Sequence, residues 1–285
     1  MIRIKKSQII LVAVLCLVLV LLCVFQIPIP SKHQAYAQLR QEAKYLFEGY
    51  CKKDGGEAVE ANAKVETEGE TRKSGKLKGE TSQRKIAYLT FDDGPSKYTE
   101  TILDILKENQ ACATFFLIGG QVNEENKDIL LRLLEEGNDI GIHTFSHESD
   151  IYSSKKQYLE DFYQTRDLIQ EELSVEPKLY RFPWGSTNRY LKPFKTEVVD
   201  LLEQEGYVYE DWNVSAEDSV GHPSVNEIIR NIKKDLTRFR EPVILMHDSS
   251  INENTVRALP EIIQWIRSEG YEFGVLENRE TPCQY

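Results

Sequence analysis

The chain has 285 residues, enough for one sizeable domain with appendages. Apolar residues make up 41% and charged residues 28%, a globular balance, while a formal net charge of −11 argues against the basic face that a nucleic-acid partner needs. Five cysteines include no C-x-x-C pair, which excludes a thiolate zinc ribbon and a dithiol redox motif.

Residues 1–8 carry Arg3, Lys5 and Lys6 and read as a cytoplasmic tail. Ile9 to Phe25 is unbroken in its apolar character, includes Cys16 and Cys23, and predicts a transmembrane signal-anchor over residues 9–26. The positive flank sends the rest of the chain outside the cytoplasm. The alternative is a secreted protein cleaved after Ala35-Tyr36-Ala37, although that site lies far beyond the apolar run. Pro28 and Pro30 end the membrane helix. Tyr36, Leu39, Ala43, Leu46 and Tyr50 recur at helical spacing, and residues 51–84 then lack aromatics and read as a flexible tether. Residues 27–84 are therefore a juxtamembrane helix and linker, and residues 85–285 the folded domain. No pattern decides whether Cys51 pairs with Cys283, and Cys112 reads as a small buried hydrophobe in a strand.

From Lys85 onward strand and helix signals alternate. Strands are predicted at 86–91, 113–117, 139–143, 179–182, 207–212, 243–246 and 272–276, with helices at 98–109, 127–136, 155–173, 195–205, 225–236 and 255–268. This alternation implies a parallel sheet with helical crossovers. Asp92, Asp93, His143, Arg181, Asp218 and His247 fall at or just past the C-terminal ends of several strands. That convergence favours a β/α barrel over an open sheet with a single crevice.

Taken singly, most of these clusters have plain readings. Asp93-Gly94 is an ordinary turn pair, although the adjoining Asp92 needs a cation or base to hold two neighbouring carboxylates. His143 and His147 are two of only five histidines, spaced to face one metal. Arg181 ends a strand as a surface arginine would, and His247 as a capping histidine would. Together, two histidines and one aspartate make a three-ligand site with open positions, suited to hydrolysis and equally able to bind Fe(II).

The ordered set TFDDGPS, HTFSH, RFPWGS and LMHDS resembles the polysaccharide deacetylase domain of carbohydrate esterase family four, over about Lys85 to Glu277. The membrane segment makes the whole similar to membrane-anchored bacterial peptidoglycan N-acetylglucosamine deacetylases. The resemblance implies a distorted (β/α)7 barrel and hydrolysis of an N-acetyl amide on a glucosamine unit. It implies Asp93, His143 and His147 as ligands of a divalent metal, zinc first, with cobalt or nickel able to substitute. Asp92 resembles the general base and Arg181 the residue that tethers it. His247 resembles the general acid and Asp218 the carboxylate that orients it, with Asp211 as the competing choice. Trp184 matches the backbone oxyanion donor, and Leu245 the wall of the acetyl pocket. One departure stands out: Ser219 occupies the place where the family often has a tryptophan, which puts the pocket wall in doubt. Peptidoglycan is the preferred substrate, with chitooligosaccharide or acetylated xylan as alternatives. A wall-binding protein that keeps the fold without activity is the runner-up.

Overall fold

The computed structural model describes residues 84–285. The expected cytoplasmic tail, membrane anchor, juxtamembrane helix and tether lie outside these residues, as do Cys16, Cys23 and Cys51. Among the described residues no helix is long and apolar enough to cross a membrane.

Eight strands form one parallel sheet: β1 (Lys85–Gly94), β2 (Ala113–Leu117), β3 (Asp139–Ile142), β4 (Leu179–Tyr180), β5 (Val208–Tyr209), β6 (Val214–Ser215), β7 (Val243–His247) and β8 (Tyr271–Phe273). Six helices connect them: α1 (Thr99–Glu108), α2 (Lys127–Glu135), α3 (Lys155–Leu173), α4 (Lys195–Gln204), α5 (Val225–Asp235) and α6 (Glu253–Ser268). The pairing order is β5-β4-β3-β2-β1-β7-β6, and β8 pairs only with Lys85–Ala87 of β1. This is the parallel α/β architecture expected from the alternation, with three differences. The predicted last strand flanks the foot of β1 and does not enter the main pairing path. The predicted fourth and fifth strands are each only two residues long. A strand at Val214–Ser215 was not foreseen.

The cause of the short fifth strand is Arg181. Its guanidinium takes the carbonyls of Glu210 and Asp211, at 2.8 and 2.9 Å, so these groups have no need of a neighbouring strand. The Asp211 N–H turns to the Cys283 carbonyl at 2.7 Å. The chain then rejoins the sheet at β6, which pairs with β7. The sheet ends β5 and β6 are thus joined by four residues of chain, with an arginine filling the gap.

One face of the central strands is apolar and packs with the helices, as expected where helices cover a parallel sheet, while the other carries Thr90, Thr114 and Asp92. Leu89, Phe91, Phe115, Leu117, Ile244 and Met246 are all fully buried. Each such side chain contributes about 1.5–3 kcal/mol by leaving water. Helix α3 packs an aromatic face inward: Tyr158 stands 5.3 Å from Phe182, and Phe162 stands 5.4 Å from Tyr180. Its start is fixed by Ser154, whose hydroxyl accepts the Gln157 N–H. Helix α5 begins with a reciprocal Ser224–Glu227 capping box. Helix α6 runs through Pro260 and starts two residues earlier than predicted, its buried Val256, Leu259, Ile263 and Ile266 face outweighing the lost backbone bond. Cys112 stands one residue before β2 and is only half-buried, where a strand residue was expected. Burial still pushes its thiol up to about 11.

Candidate active site

The strand ends carry the polar residues. In the β1–β7 register Thr90 lies beside Leu245 and Asp92 beside His247, so these four side chains share one face. Asp93 follows in the left-handed region at φ 70°. Gly94 admits the close approach of Asp248, because a Cβ there would lie 2.7 Å from the Asp248 carboxylate. That carboxylate accepts the Ser96 and Thr99 hydroxyls at 2.6 and 2.5 Å, tying the TFDDGPS loop to the end of β7.

His143 follows directly on β3 and is buried. Its Nδ1–H donates to the Arg181 carbonyl at 2.9 Å, which leaves the Nε2 lone pair free. That Nε2 lies 3.5 Å from Asp93 Oδ1, and His147 Nε2 lies 3.4 Å from the same oxygen. All three ligand atoms fall within 4.8 Å of one another. Asp93 Oδ1 is buried and has no hydrogen-bond partner. A buried carboxylate oxygen facing two imidazole nitrogens needs a proton or a cation between them. Two ligand atoms about 2.1 Å from a tetrahedral centre stand roughly 3.4 Å apart, so these residues fit a divalent metal. Burial, only partly offset by Asp92, lowers the His143 pKa and favours the neutral ring that a ligand must be.

The loop between the two histidines is strained. Thr144 and His147 are left-handed, at φ 64° and 54°. It is clamped from both sides. Gly119 and Gly120 donate their N–H groups to the Thr144 and Phe145 carbonyls, each at 2.9 Å. A Cβ on Gly120 would lie 2.9 Å from that Phe145 carbonyl. On the other side Asp161 of α3 accepts the Phe145 N–H at 2.5 Å and the Ser146 N–H at 3.2 Å.

Arg181 is fully buried between the rings of Phe116 and Trp212, 4.2 and 5.7 Å from their centroids. Besides the two carbonyls, it donates to Thr90 Oγ1 and Asp92 Oδ1, both at 2.8 Å. Burial pushes the Asp92 carboxyl up, but the Arg181 charge, then His143 and His247, outweigh it and hold Asp92 below the usual carboxylate range.

Opposite, His247 Nδ1 lies 2.8 Å from Asp218 Oδ1. Asp218 Oδ2 accepts the His247 backbone N–H at 2.8 Å and the Thr255 hydroxyl at 2.7 Å. Burial disfavours the His247 cation, yet the Asp218 hydrogen bond and charge, with Asp92 and Asp93 behind, raise its pKa to about 9. Of the two competing carboxylates, Asp218 is the one that meets His247. Asp211 caps the RFPWGS turn, accepting Ser186 N–H at 2.8 Å and Ser186 hydroxyl at 2.6 Å. Trp184 stands on that turn at φ 62°, its ring 5.1 Å from His147, and no hydrogen bond among the described residues uses its N–H. Leu245 is buried on the shared β1–β7 face.

The structure therefore places Asp92, Asp93, His143, His147, Arg181, Trp184, Asp218, Leu245 and His247 around one centre. It adds Thr90, Asp161, Asn252, Thr255 and Asp248. Asp248 adjoins His247 and was within reach of motif reading, but nothing in the sequence ties the helix residue Asp161 to a loop fourteen or more positions upstream.

A sequence model of the polysaccharide deacetylase family matches residues 79–207. A peptidoglycan-N-acetylglucosamine deacetylase of Bacillus cereus is 35% identical over 196 residues, covering 67% of this chain and 69% of that protein. The chain belongs to the polysaccharide deacetylase family. A bifunctional xylanase/deacetylase of Pseudobutyrivibrio xylanivorans is 33% identical over 68% of this chain, though over only 30% of its own length. Among solved structures, the catalytic domain of a peptidoglycan N-acetylglucosamine deacetylase from Eubacterium rectale superposes with a TM-score of 0.66 at 32% identity, covering 72% of this chain and 94% of that one. Polysaccharide deacetylases are hydrolases, and an arginine-held aspartate, an aspartate-held histidine and an Asp-His-His cluster are groups of the kind hydrolysis can use.

Proposed function

We propose that this protein hydrolyses the N-acetyl group of N-acetylglucosamine units in a cell-wall polysaccharide, peptidoglycan in preference, releasing acetate. The observation that carries the reading is the buried, partnerless Asp93 Oδ1 facing two imidazole nitrogens, with an arginine-held aspartate and an aspartate-held histidine on either side.

A divalent metal held by Asp93, His143 and His147 would acidify a water and polarise the acetyl carbonyl. Zinc suits this donor set, with cobalt or nickel as substitutes. Asp92, kept ionised and oriented by Arg181, takes the proton from the attacking water. The free Trp184 N–H donates to the acetyl oxygen as it gains charge. His247, kept protonated by Asp218, delivers a proton to the departing amine, without which the amine is a poor leaving group. Leu245 lines the space for the acetyl methyl.

The relatives' names support a wall polysaccharide. The xylanase/deacetylase relative makes acetylated xylan the second substrate to test. The basic residues ahead of the apolar run at 9–26 support a membrane-anchored protein with its catalytic domain outside. The decisive experiment measures acetate released by the full-length chain from peptidoglycan, chitooligosaccharides and acetylated xylan, with and without added metal. Release from peptidoglycan that chelation abolishes is expected. Metal-loaded protein that releases acetate from none of the three would overturn the reading and favour a binding role. Membrane fractionation checks the location, and recovery of intact chain from the cytoplasm would overturn it.

A further inference from the structure

Residues 177–196 contain no acidic side chain, in a chain with 46 aspartates and glutamates and a net charge of −11. The same stretch holds Lys178, Arg181, Arg189, Lys192 and Lys195. It includes the RFPWGS turn and the loop that follows, so this acid-free window adjoins the candidate active site.

Two large aromatic side chains stand exposed there, Trp184 at 49% and Tyr190 at 42%. Their ring centroids are 6.3 Å apart, and Trp184 in turn lies 5.1 Å from His147. The pair thus forms a ledge that starts at a candidate metal ligand and leads away from it. The ledge is held in shape. Asn188 donates to the Pro183 and Gly185 carbonyls at 3.2 and 2.8 Å and accepts the Tyr190 and Leu191 N–H groups at 3.0 and 2.8 Å. Leu191 is fully buried beneath it. At the outer end the Arg189 guanidinium lies over the Tyr190 ring at 4.7 Å and donates to its hydroxyl at 2.8 Å. Arg189 forms no ion pair among the described residues.

Exposed, rigid aromatic faces beside a reaction centre are surfaces that await cover. A pyranose ring has an apolar face suited to them. A guanidinium without a carboxylate partner, in a window cleared of acids, suits an anion and carboxylate geometry in particular. We infer that Trp184, Tyr190 and Arg189 form a subsite for the sugar next to the one deacetylated, and that Arg189 reads a carboxylate borne by that neighbour. The inference rests on the deacetylase reading above and narrows its substrate: carboxylate-bearing glycan is favoured over neutral chitin-like chains. In peptidoglycan the carboxylate belongs to the stem peptide where a stem is attached, the lactyl carboxyl then being its amide link, and to the lactyl group where the sugar carries no stem.

The test compares KM and kcat for acetate release by the full-length chain on three glycans: native peptidoglycan strands, strands with carboxylates converted to methylamides, and strands trimmed to the lactyl group. For the wild type KM should rise about two- to fivefold on amidation, the usual worth of one exposed charge pair. The difference should fade as salt is raised. Arg189→Gln should erase the native-to-amidated KM ratio, and Arg189→Lys should keep part of it. Trimming removes the stem and frees the lactyl carboxyl, so trimmed strands on which Arg189→Gln still raises KM assign a lactyl carboxylate, and trimmed strands on which it does not assign the stem. A wild-type KM indifferent to amidation, or an Arg189→Gln ratio equal to the wild type's, overturns the subsite while leaving the deacetylase reading intact. Absence of acetate release from every strand strikes at the deacetylase reading itself.

Discussion

On the β1–β3 side of the centre, Asp93, Thr144 and His147 all sit on left-handed backbone, and the Asp93 carboxylate oxygen between the histidines has no partner. On the β6–β7 side, both Asp218 oxygens are satisfied by His247 and Thr255, and Asn252 donates to the Asp218 carbonyl at 2.9 Å. Left-handed backbone occurs on this side too, at Glu217 with φ 52°, so what sets the first half apart is that it is electrostatically incomplete, as expected of a site that a cation finishes. The other half is complete from the chain alone. The halves should therefore respond differently to mutation: damage on the first side should show in metal content, damage on the second in proton transfer with the metal retained.

The largest effect belongs to the ligands. Asp93→Ala, His143→Ala and His147→Ala should each strip the metal and abolish turnover, since three protein ligands leave none to spare. Metal analysis of the purified variants checks this. A His143→Ala, His147→Ala double variant that kept one metal per chain would remove the basis of the comparison.

His247→Ala should spare the metal and lower turnover by roughly 10²–10⁴-fold, the usual contribution of a positioned acid or base. Asp92→Asn should behave likewise, because Asp93 and both histidines remain, although the buried Arg181 would lose its counter-charge and stability should fall as well. Single-turnover rates set beside metal content separate these variants from the ligand series.

Much of this centre was legible in the sequence because its parts sit at strand ends and each carries a chemically unusual neighbour, such as the paired Asp92 and Asp93 or the two histidines of HTFSH. The strand and helix pattern was legible for the reason that the core is legible: long apolar runs such as Ala113–Leu117 admit few other readings. What stayed hidden is three-dimensional. Arg181 replaces strand pairing at Glu210 and Asp211 through side-chain bonds that no periodicity reports. Asp161 faces a loop rather than solvent, and its helix reads the same in either case. Asp211 and Asp218 are alike in sequence and are told apart only by which one meets His247.

The third prediction tests the complete half more finely. With its pKa near 9, His247 is protonated at neutral pH, and as a proton donor it should lose activity as pH rises through that value. Asp218→Asn reverses the causes. The amide oxygen must take the place of Oδ2, which accepts the His247 N–H and the Thr255 hydroxyl. The amide NH2 then faces Nδ1 and disfavours the imidazolium, and burial adds to the loss. The high-pH limb should move from about 9 to below the ordinary value near 6.5. At pH 7 the protonated fraction then falls at least about fourfold, and more for each further step down. A pH–rate profile checks it, and an unmoved high-pH limb would separate Asp218 from the acid's proton.

The smallest effect lies in the clamp on the incomplete half. Asp161 accepts the Phe145 N–H on Oδ1 and shares the Ser146 N–H between Oδ1 and Oδ2, at 3.3 and 3.2 Å, so that the loop between the two histidines keeps its strained shape without metal. An asparagine keeps one oxygen for both N–H groups, and the NH2 in place of Oδ2 would stand against the Ser146 N–H as donor against donor. Asp161→Asn should therefore release the Thr144 and His147 backbone toward ordinary conformations and pull His147 away from Asp93. Metal affinity should fall about tenfold, the lower range for groups that orient ligands from behind. Turnover lost at limiting metal should return as metal is added in excess, unlike turnover lost in the His247 variant. Titration with cobalt, followed by its visible absorption, reports affinity and ligand geometry together. If Asp161→Asn binds cobalt as tightly as the wild type with the same spectrum, the loop is held by Gly119, Gly120 and its own backbone, and the incomplete half is stiffer than its missing hydrogen bonds suggest.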